Sequence, residues 1–152
     1  MFKTLTKREA LLKSSVFFSI FGALFSGFAL RAKFDVSIAE ACKIGESFDC
    51  DLVNQSSYSE LFGIPVSVLG LLTYALFLVI LTHYDWIPTK MRELVYTGLG
   101  TLVLIGLAFS FYLTGIEAFV LDTWCILCVG SQFSIIGLAI SFLWLRHLEL
   151  NK

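Results

Sequence analysis

The sequence predicts an all-α polytopic membrane protein, a four-transmembrane-helix bundle whose outer loop carries a short amphipathic helix. Three observations predict it. Of the 152 residues, 57% are hydrophobic and only 15% charged, whereas a soluble domain carries about a quarter charged residues. The apolar residues gather into four runs, at about 14–30, 64–81, 94–113 and 125–145, each close to the ~20 residues that carry a helix across hydrocarbon. The basic residues are spread unevenly among the segments between those runs. Four runs leave no room for a soluble domain, so 1–152 reads as a single membrane domain.

Lys3, Lys7, Arg8 and Lys13 precede the first run, as they would precede a secretory signal. The run is longer than a signal core, however, and Ala29-Leu30-Arg31-Ala32 makes a poor cleavage site, so the helix is expected to be retained. Ser15, Ser19, Ala23 and Gly27 recur in it at four-residue steps, a small-residue stripe that lets helices approach closely in lipid. In the following loop, Phe34 to Cys42 reads as the short interfacial helix, with Ile38 and Cys42 four apart. The stretch 43–55 carries Gly45, Asp49, Asp51 and Asn54 and is expected to be turn-rich and mobile. Pro65 suits the first turn of the second helix, and Pro88 marks the turn before the third. Asp122 or Thr123 is placed to cap the fourth, which pairs Gly130 with Ser134 and Gly137 with Ser141 in the small-residue pattern.

With four crossings, both termini and the middle loop share one side. That side holds Lys3, Lys7, Arg8, Lys13, Lys90, Arg92, Arg146 and Lys152, eight basic residues against three (Arg31, Lys33, Lys43) on the other. The positive-inside rule then puts the termini in the cytoplasm of a cell (inner) membrane protein, with membrane lipid as its surroundings. All four cysteines fall on the periplasmic or extracytoplasmic side, where disulfides persist. Nothing in the composition points to nucleic acid.

The chemistry lies in those cysteines. Cys125 and Cys128 form a Cys-x-x-Cys pair at the start of the fourth run. A helix N-terminus favours thiolate there, and the membrane edge brings the pair next to lipid-soluble oxidants. Gln132 follows on the same face (i, i+3, i+7), one turn below Cys128. An amide in hydrocarbon needs a partner, which is either a neighbouring helix or the carbonyl of a quinone beside Cys128. Cys42 and Cys50 share the outer loop and suit thiol–disulfide exchange with the fixed pair, so all four cysteines read as one electron path. Two other readings compete: a metal site built from the four cysteines, and two structural disulfides. His83 and His147 fall on the cytoplasmic side, away from the cysteines.

These residues resemble the vitamin K epoxide reductase (VKOR) family, in particular its bacterial homologues. The matching elements are Cys42 and Cys50, Ser56 six residues later, Phe62-Gly63-Ile64-Pro65 entering the second helix, and Cys125-Ile126-Leu127-Cys128 opening the last. In the related DsbB type of oxidase the Cys-x-x-Cys comes in the first outer loop, so the cysteine order favours VKOR. The resemblance implies a quinone-dependent thiol–disulfide oxidoreductase with ubiquinone or menaquinone as cofactor. Electrons would enter at Cys42, pass to Cys50 and Cys125, and leave from Cys128. Ser56 matches a serine near the family's active centre, and Gln132 stands where vertebrate members carry tyrosine. A bacterial type without a fused thioredoxin-like domain is expected, with a soluble thioredoxin-like (DsbA-type) protein as electron donor.

Overall fold

A computed structural model describes residues 2–45, 47–83 and 86–150. Lys152, one of the eight basic residues assigned to the cytoplasmic side, lies outside them. In chain order the elements are α1 (Phe2–Phe34), α2 (Val36–Ala41), α3 (Cys50–Gln55), a 3-10 turn (Ser57–Ser59), the strands β1 (Glu60–Leu61) and β2 (Ile64–Pro65), and the helices α4 (Val66–Thr82), α5 (Thr89–Ile116) and α6 (Ile126–Leu150). The long helices α1, α4, α5 and α6 form the four-helix membrane bundle. Within them Thr6–Phe34, Lys90–Leu121 and Ile126–Glu149 are long and apolar enough to cross a bilayer. Helix α4, at 17 residues, sits at the lower end of what spans hydrocarbon.

Burial on α1 follows Ser15, Ser19, Gly22, Ser26 and Ala29 rather than the expected 15, 19, 23, 27. The reason is helical period. A four-residue step turns roughly 40° beyond a full circle, so three such steps drift off the seam, whereas alternating steps of four and three stay on it. Gly27 accordingly has open space where a Cβ would be, while a Cβ on Gly22 would strike the Tyr74 ring at 2.2 Å. On α6 both expected glycines are close-approach points, Gly130 under Phe25 and Gly137 under Phe18. The Ser15 hydroxyl donates to Ser141 at 3.1 Å, closing the α1–α6 seam with a buried hydrogen bond. Near the opposite faces of α4 and α5, Phe142 of α6 meets Phe77 edge-on at 5.1 Å and stacks on Tyr96 at 5.6 Å. Phe17, Phe21, Leu24 and Phe28 of α1 point outward, as suits a lipid-facing surface. Arg8 pairs with Glu149, which joins the start of α1 to the end of α6.

The loop between α1 and α4 is more structured than its composition suggests. Helix α2 is capped by Asp35, whose carboxylate accepts the Ser37 N–H at 3.1 Å. The stretch expected to be mobile instead contains α3, capped by Asp49, which accepts the N–H groups of Asp51 and Leu52 at 3.1 Å each. A short backbone ladder then fastens this stretch to the segment before α6: the Asp49 N–H donates to the Trp124 carbonyl at 3.1 Å, and the Trp124 N–H to the Ser47 carbonyl at 2.9 Å. Beyond α3, β1 and β2 pair as a minimal hairpin. Its two turn residues, Phe62 and Gly63, both have positive φ (54° and 80°), the backbone that a two-residue hairpin requires. Pro65 ends this hairpin and caps α4, one residue ahead of the first turn expected for it.

Candidate active site

The four cysteines converge at the end of the bundle where α1 finishes and α6 starts. Cys42, just after α2, and Cys50, the first residue of α3, form a disulfide with Cα atoms 5.7 Å apart. Cys125 is a free thiol, fully buried, with its Sγ 3.4 Å from Cys50 Sγ. Cys128 follows one helical turn later and is partly exposed. The sulfur atoms thus run 42–50–125–128 without a gap. The Asp49 cap and the Trp124 ladder hold the start of α3 against the start of α6, which is why Cys50 and Cys125 meet.

The start of α6 departs from the expected capping by Asp122 or Thr123. Asp122 adopts a left-handed conformation (φ 50°, ψ 34°), which turns the chain back after α5. The Cys125 sulfur itself takes the capping position and accepts the Cys128 N–H at 3.3 Å. A hydrogen bond from the Cys128 thiol pulls the Cys125 pKa below its ordinary value, outweighing the upward effects of burial and of the neighbouring Glu117 charge. Cys125 is therefore the sulfur of the pair that ionises more readily, and its thiolate lies in contact with the disulfide it would exchange with.

Glu117 was not anticipated. Helix α5 ends in a π-helical turn, Glu117–Leu121, a distortion found mostly at functional sites. That turn aims the carboxylate back at α6, where its Oε2 accepts the Cys125 N–H at 3.1 Å. Only 4% of Glu117 is exposed. The one sequence signal for it was a lone acidic residue among apolar neighbours (Ile116, Ala118, Phe119) just past the third run, which in a membrane helix is a functional marker by default.

Below the cysteines, a cavity of about 510 Å³ opens between the helices, within the usual size of small-molecule sites. Its wall is mainly apolar, with Leu69, Leu102, Ile105 and Phe109 among the lining residues, and Cys128 and Glu117 stand on it together with Ser56. Ser56 donates its hydroxyl to the Val53 carbonyl at 2.7 Å. Asn54, only 7% exposed, also lines the cavity, and its side-chain Nδ2 has no partner. A flat, apolar ring with carbonyl oxygens fits this wall, because it would fill the space and give that buried donor an acceptor. Gln132, expected beside Cys128 in such a pocket, is not on the wall. Its Oε1 accepts from the Ser110 hydroxyl and, at 3.4 Å, from Thr114 of α5, and both of those residues line the cavity. Positions 128 and 132 do share a helix face, but α5 packs against that face at 132 and takes up the amide oxygen, leaving the buried Nε2 without a partner.

The profile of the vitamin K epoxide reductase family matches residues 14–143, from the first transmembrane helix to the last. The chain belongs to the vitamin K epoxide reductase family. Among individually curated proteins, none matches the chain significantly. Membership makes this VKOR protein a quinone-reducing thiol–disulfide oxidoreductase and a multi-pass membrane protein. The family uses quinones.

Proposed function

We propose that the protein reoxidises an extracytoplasmic thioredoxin-like protein of the DsbA type and passes the electrons to ubiquinone or menaquinone in the membrane, in support of disulfide-bond formation. The observation that carries this reading is the unbroken sulfur sequence, with Cys50 Sγ 3.4 Å from Cys125 Sγ and Cys128 on the cavity wall. Two purely structural disulfides would have no need of a third sulfur in contact with the first pair.

The exchange runs as follows. A client thiolate attacks Cys42 and releases Cys50 as a thiolate; the second client thiol then displaces Cys42, so the client leaves oxidised and the loop pair is left reduced. Cys50 attacks Cys125 of a closed Cys125–Cys128 disulfide and frees Cys128, and Cys42 then attacks Cys50 and frees Cys125. One dithiol has been exchanged for another, and two electrons now reside on Cys125 and Cys128. A bound quinone supplies the acceptor for two electrons and two protons at Cys128. Ser56 and Asn54 orient it from the outer wall, and Gln132 holds Ser110 and Thr114 in place behind it.

A bacterial-type member with cytoplasmic termini and outward-facing cysteines fits the eight-to-three distribution of basic residues. The Arg8–Glu149 pair agrees with it, because it puts the start of α1 and the end of α6 on one side. The test is a trap. Cys50→Ser removes the sulfur that competes with the client for Cys42, so a mixed disulfide between Cys42 and the thioredoxin-like protein should accumulate, as a heavier band that collapses with reductant. A trap on Cys50 in Cys42→Ser instead would reverse the loop roles. Continued electron flow to quinone in both variants, with no trapped partner, would refute the relay.

A further inference from the structure

We infer that Glu117 is the proton-transfer group of the Cys125–Cys128 pair, taking the proton that leaves the Cys128 thiol and returning it to the acceptor in the cavity. The inference rests on the proposed role of Cys128 as the sulfur that faces quinone.

Closing the Cys125–Cys128 disulfide breaks two S–H bonds, forms one S–S bond, and sends two electrons and two protons to the acceptor. Electrons cross between touching atoms, but protons need a carrier where water is scarce. Glu117 meets the requirements of one. It is almost wholly buried, it stands on the cavity wall with Cys128, and its Oε2 accepts the Cys125 N–H at 3.1 Å, at the head of the helical turn that carries Cys128. The ion pairs of the described residues do not include it. A carboxylate kept in an apolar wall without a cation is costly, and the hydrogen bond to the reacting Cys125 is what it holds in return.

Other titratable groups around the cavity are otherwise engaged. Lys33 of α1 donates to the Asn54 carbonyl at 3.0 Å and to Ser59 at 2.9 Å, and pairs with Glu60 at 2.9 Å. Tyr74 of α4 donates to the Ser131 carbonyl at 2.9 Å. Tyr58 lines the cavity in the segment after α3, and Cys50 of α3 has no proton while it is in the disulfide. Among these groups Glu117 is the one bonded to the pair's own backbone. The Cys128 proton passes through its carboxylate first and the Cys125 proton follows by way of the Cys128 sulfur, so the carboxylate ends the cycle ionised, as it began.

The test uses full-length protein in detergent or vesicles and compares Glu117→Gln, Glu117→Asp and Cys128→Ser. Gln keeps an acceptor for the Cys125 N–H but cannot carry a proton. Single-turnover quinone reduction should fall about 10²–10⁴-fold in Glu117→Gln, the usual contribution of a positioned acid–base group, and by less in Glu117→Asp. Reduction of the Cys42–Cys50 disulfide by a soluble dithiol reports whether the fold is intact and should stay within about twofold of wild type. A second readout needs no quinone: the infrared S–H stretch of Cys128, identified by its loss in Cys128→Ser, should shift in Glu117→Gln because the charged carboxylate beside the pair is gone. Undiminished quinone reduction in Glu117→Gln, an unmoved S–H band, or equal slowing of both half-reactions overturns the inference. Quinone reduction that survives in Cys128→Ser overturns instead the functional reading on which it stands.

Discussion

Asp49 fixes the position of Cys50, so removing its side chain should loosen the sulfur path at its narrowest point. The carboxylate accepts two backbone N–H groups at the start of α3, Asp51 and Leu52, at 3.1 Å each, and pairs with Lys43 at 2.9 Å. Lys43 is largely exposed, so the pair is screened and the cap carries the effect. Loss of a helix N-cap costs about 1 kcal/mol, with a range of about 0.5–2. At about 1.4 kcal/mol per tenfold, Asp49→Ala should raise local opening of α3 about fivefold. Hydrogen exchange resolved to 49–56 reads this directly, and alkylation of Cys50 after reduction should accelerate in parallel. Asp49→Asn keeps an equally good cap and should behave like wild type. The Lys43 bond, followed by the backbone bonds, holds the Asp49 pKa below its ordinary value. The charge-dependent part of its contribution is therefore present above the unfolded carboxyl value of about 4 and is lost as pH falls through the lower folded value. The difference between wild type and Asp49→Ala should narrow in acid to that of a neutral cap such as Asn. Unchanged α3 exchange in Asp49→Ala at neutral pH would show that the cap does not seat this helix.

Two further outcomes test the packing that supports the site. Gly137→Ala puts a Cβ 2.3 Å from the Phe18 ring and should cost about 1–3 kcal/mol by overpacking, seen as a lower midpoint in detergent unfolding. Gly27→Ala, which meets open space, should be neutral or slightly stabilising; equal losses at both glycines would argue against the seam. Gln132→Leu removes the acceptor of Ser110 and Thr114 and should lower stability by about 1 kcal/mol, the scale of interhelical hydrogen bonds in membranes. Quinone affinity reduced with stability intact would return Gln132 to direct contact with the ligand.

The bundle was legible because lipid leaves few options. A span must satisfy its backbone internally, so an apolar run of the right length is a helix, and the structure has helices across all four runs. The clustering of cysteines was legible for the same reason, since four helices fix which loops lie together. What escaped the sequence were features shorter than a period. Six residues of α3 hold less than two turns, too few to show a pattern, and Gly45 and two aspartates made the stretch look like a flexible loop. Its order comes from the Asp49 cap and from Trp124, whose partner lies more than seventy positions away in the chain. The Phe62–Gly63 turn was hidden because a phenylalanine at positive φ is not a usual turn signal. Glu117 was hidden because a spacing of eight residues to Cys125 means nothing on a regular helix; the π-turn and left-handed Asp122 bring the two together.

The two ends of the loop disulfide are held unequally, and that inequality argues for Cys42 as the point of entry. Cys50 is fully buried, opens a helix capped by two bonds to Asp49, and is tethered through the Asp49–Trp124 ladder to the segment that carries Cys125. Cys42 is 6% exposed and follows a six-residue helix whose cap accepts a single backbone N–H, from Ser37. Both helices are six residues long, too short to be stable on their own, so the extra cap bond and the ladder are what hold α3 more firmly than α2. A client thiol can therefore reach Cys42 by displacing α2 alone, while Cys50 stays against Cys125. The reverse assignment would require breaking the ladder that aligns the sulfurs in order to admit the client, and would undo the path at the moment electrons have to enter it.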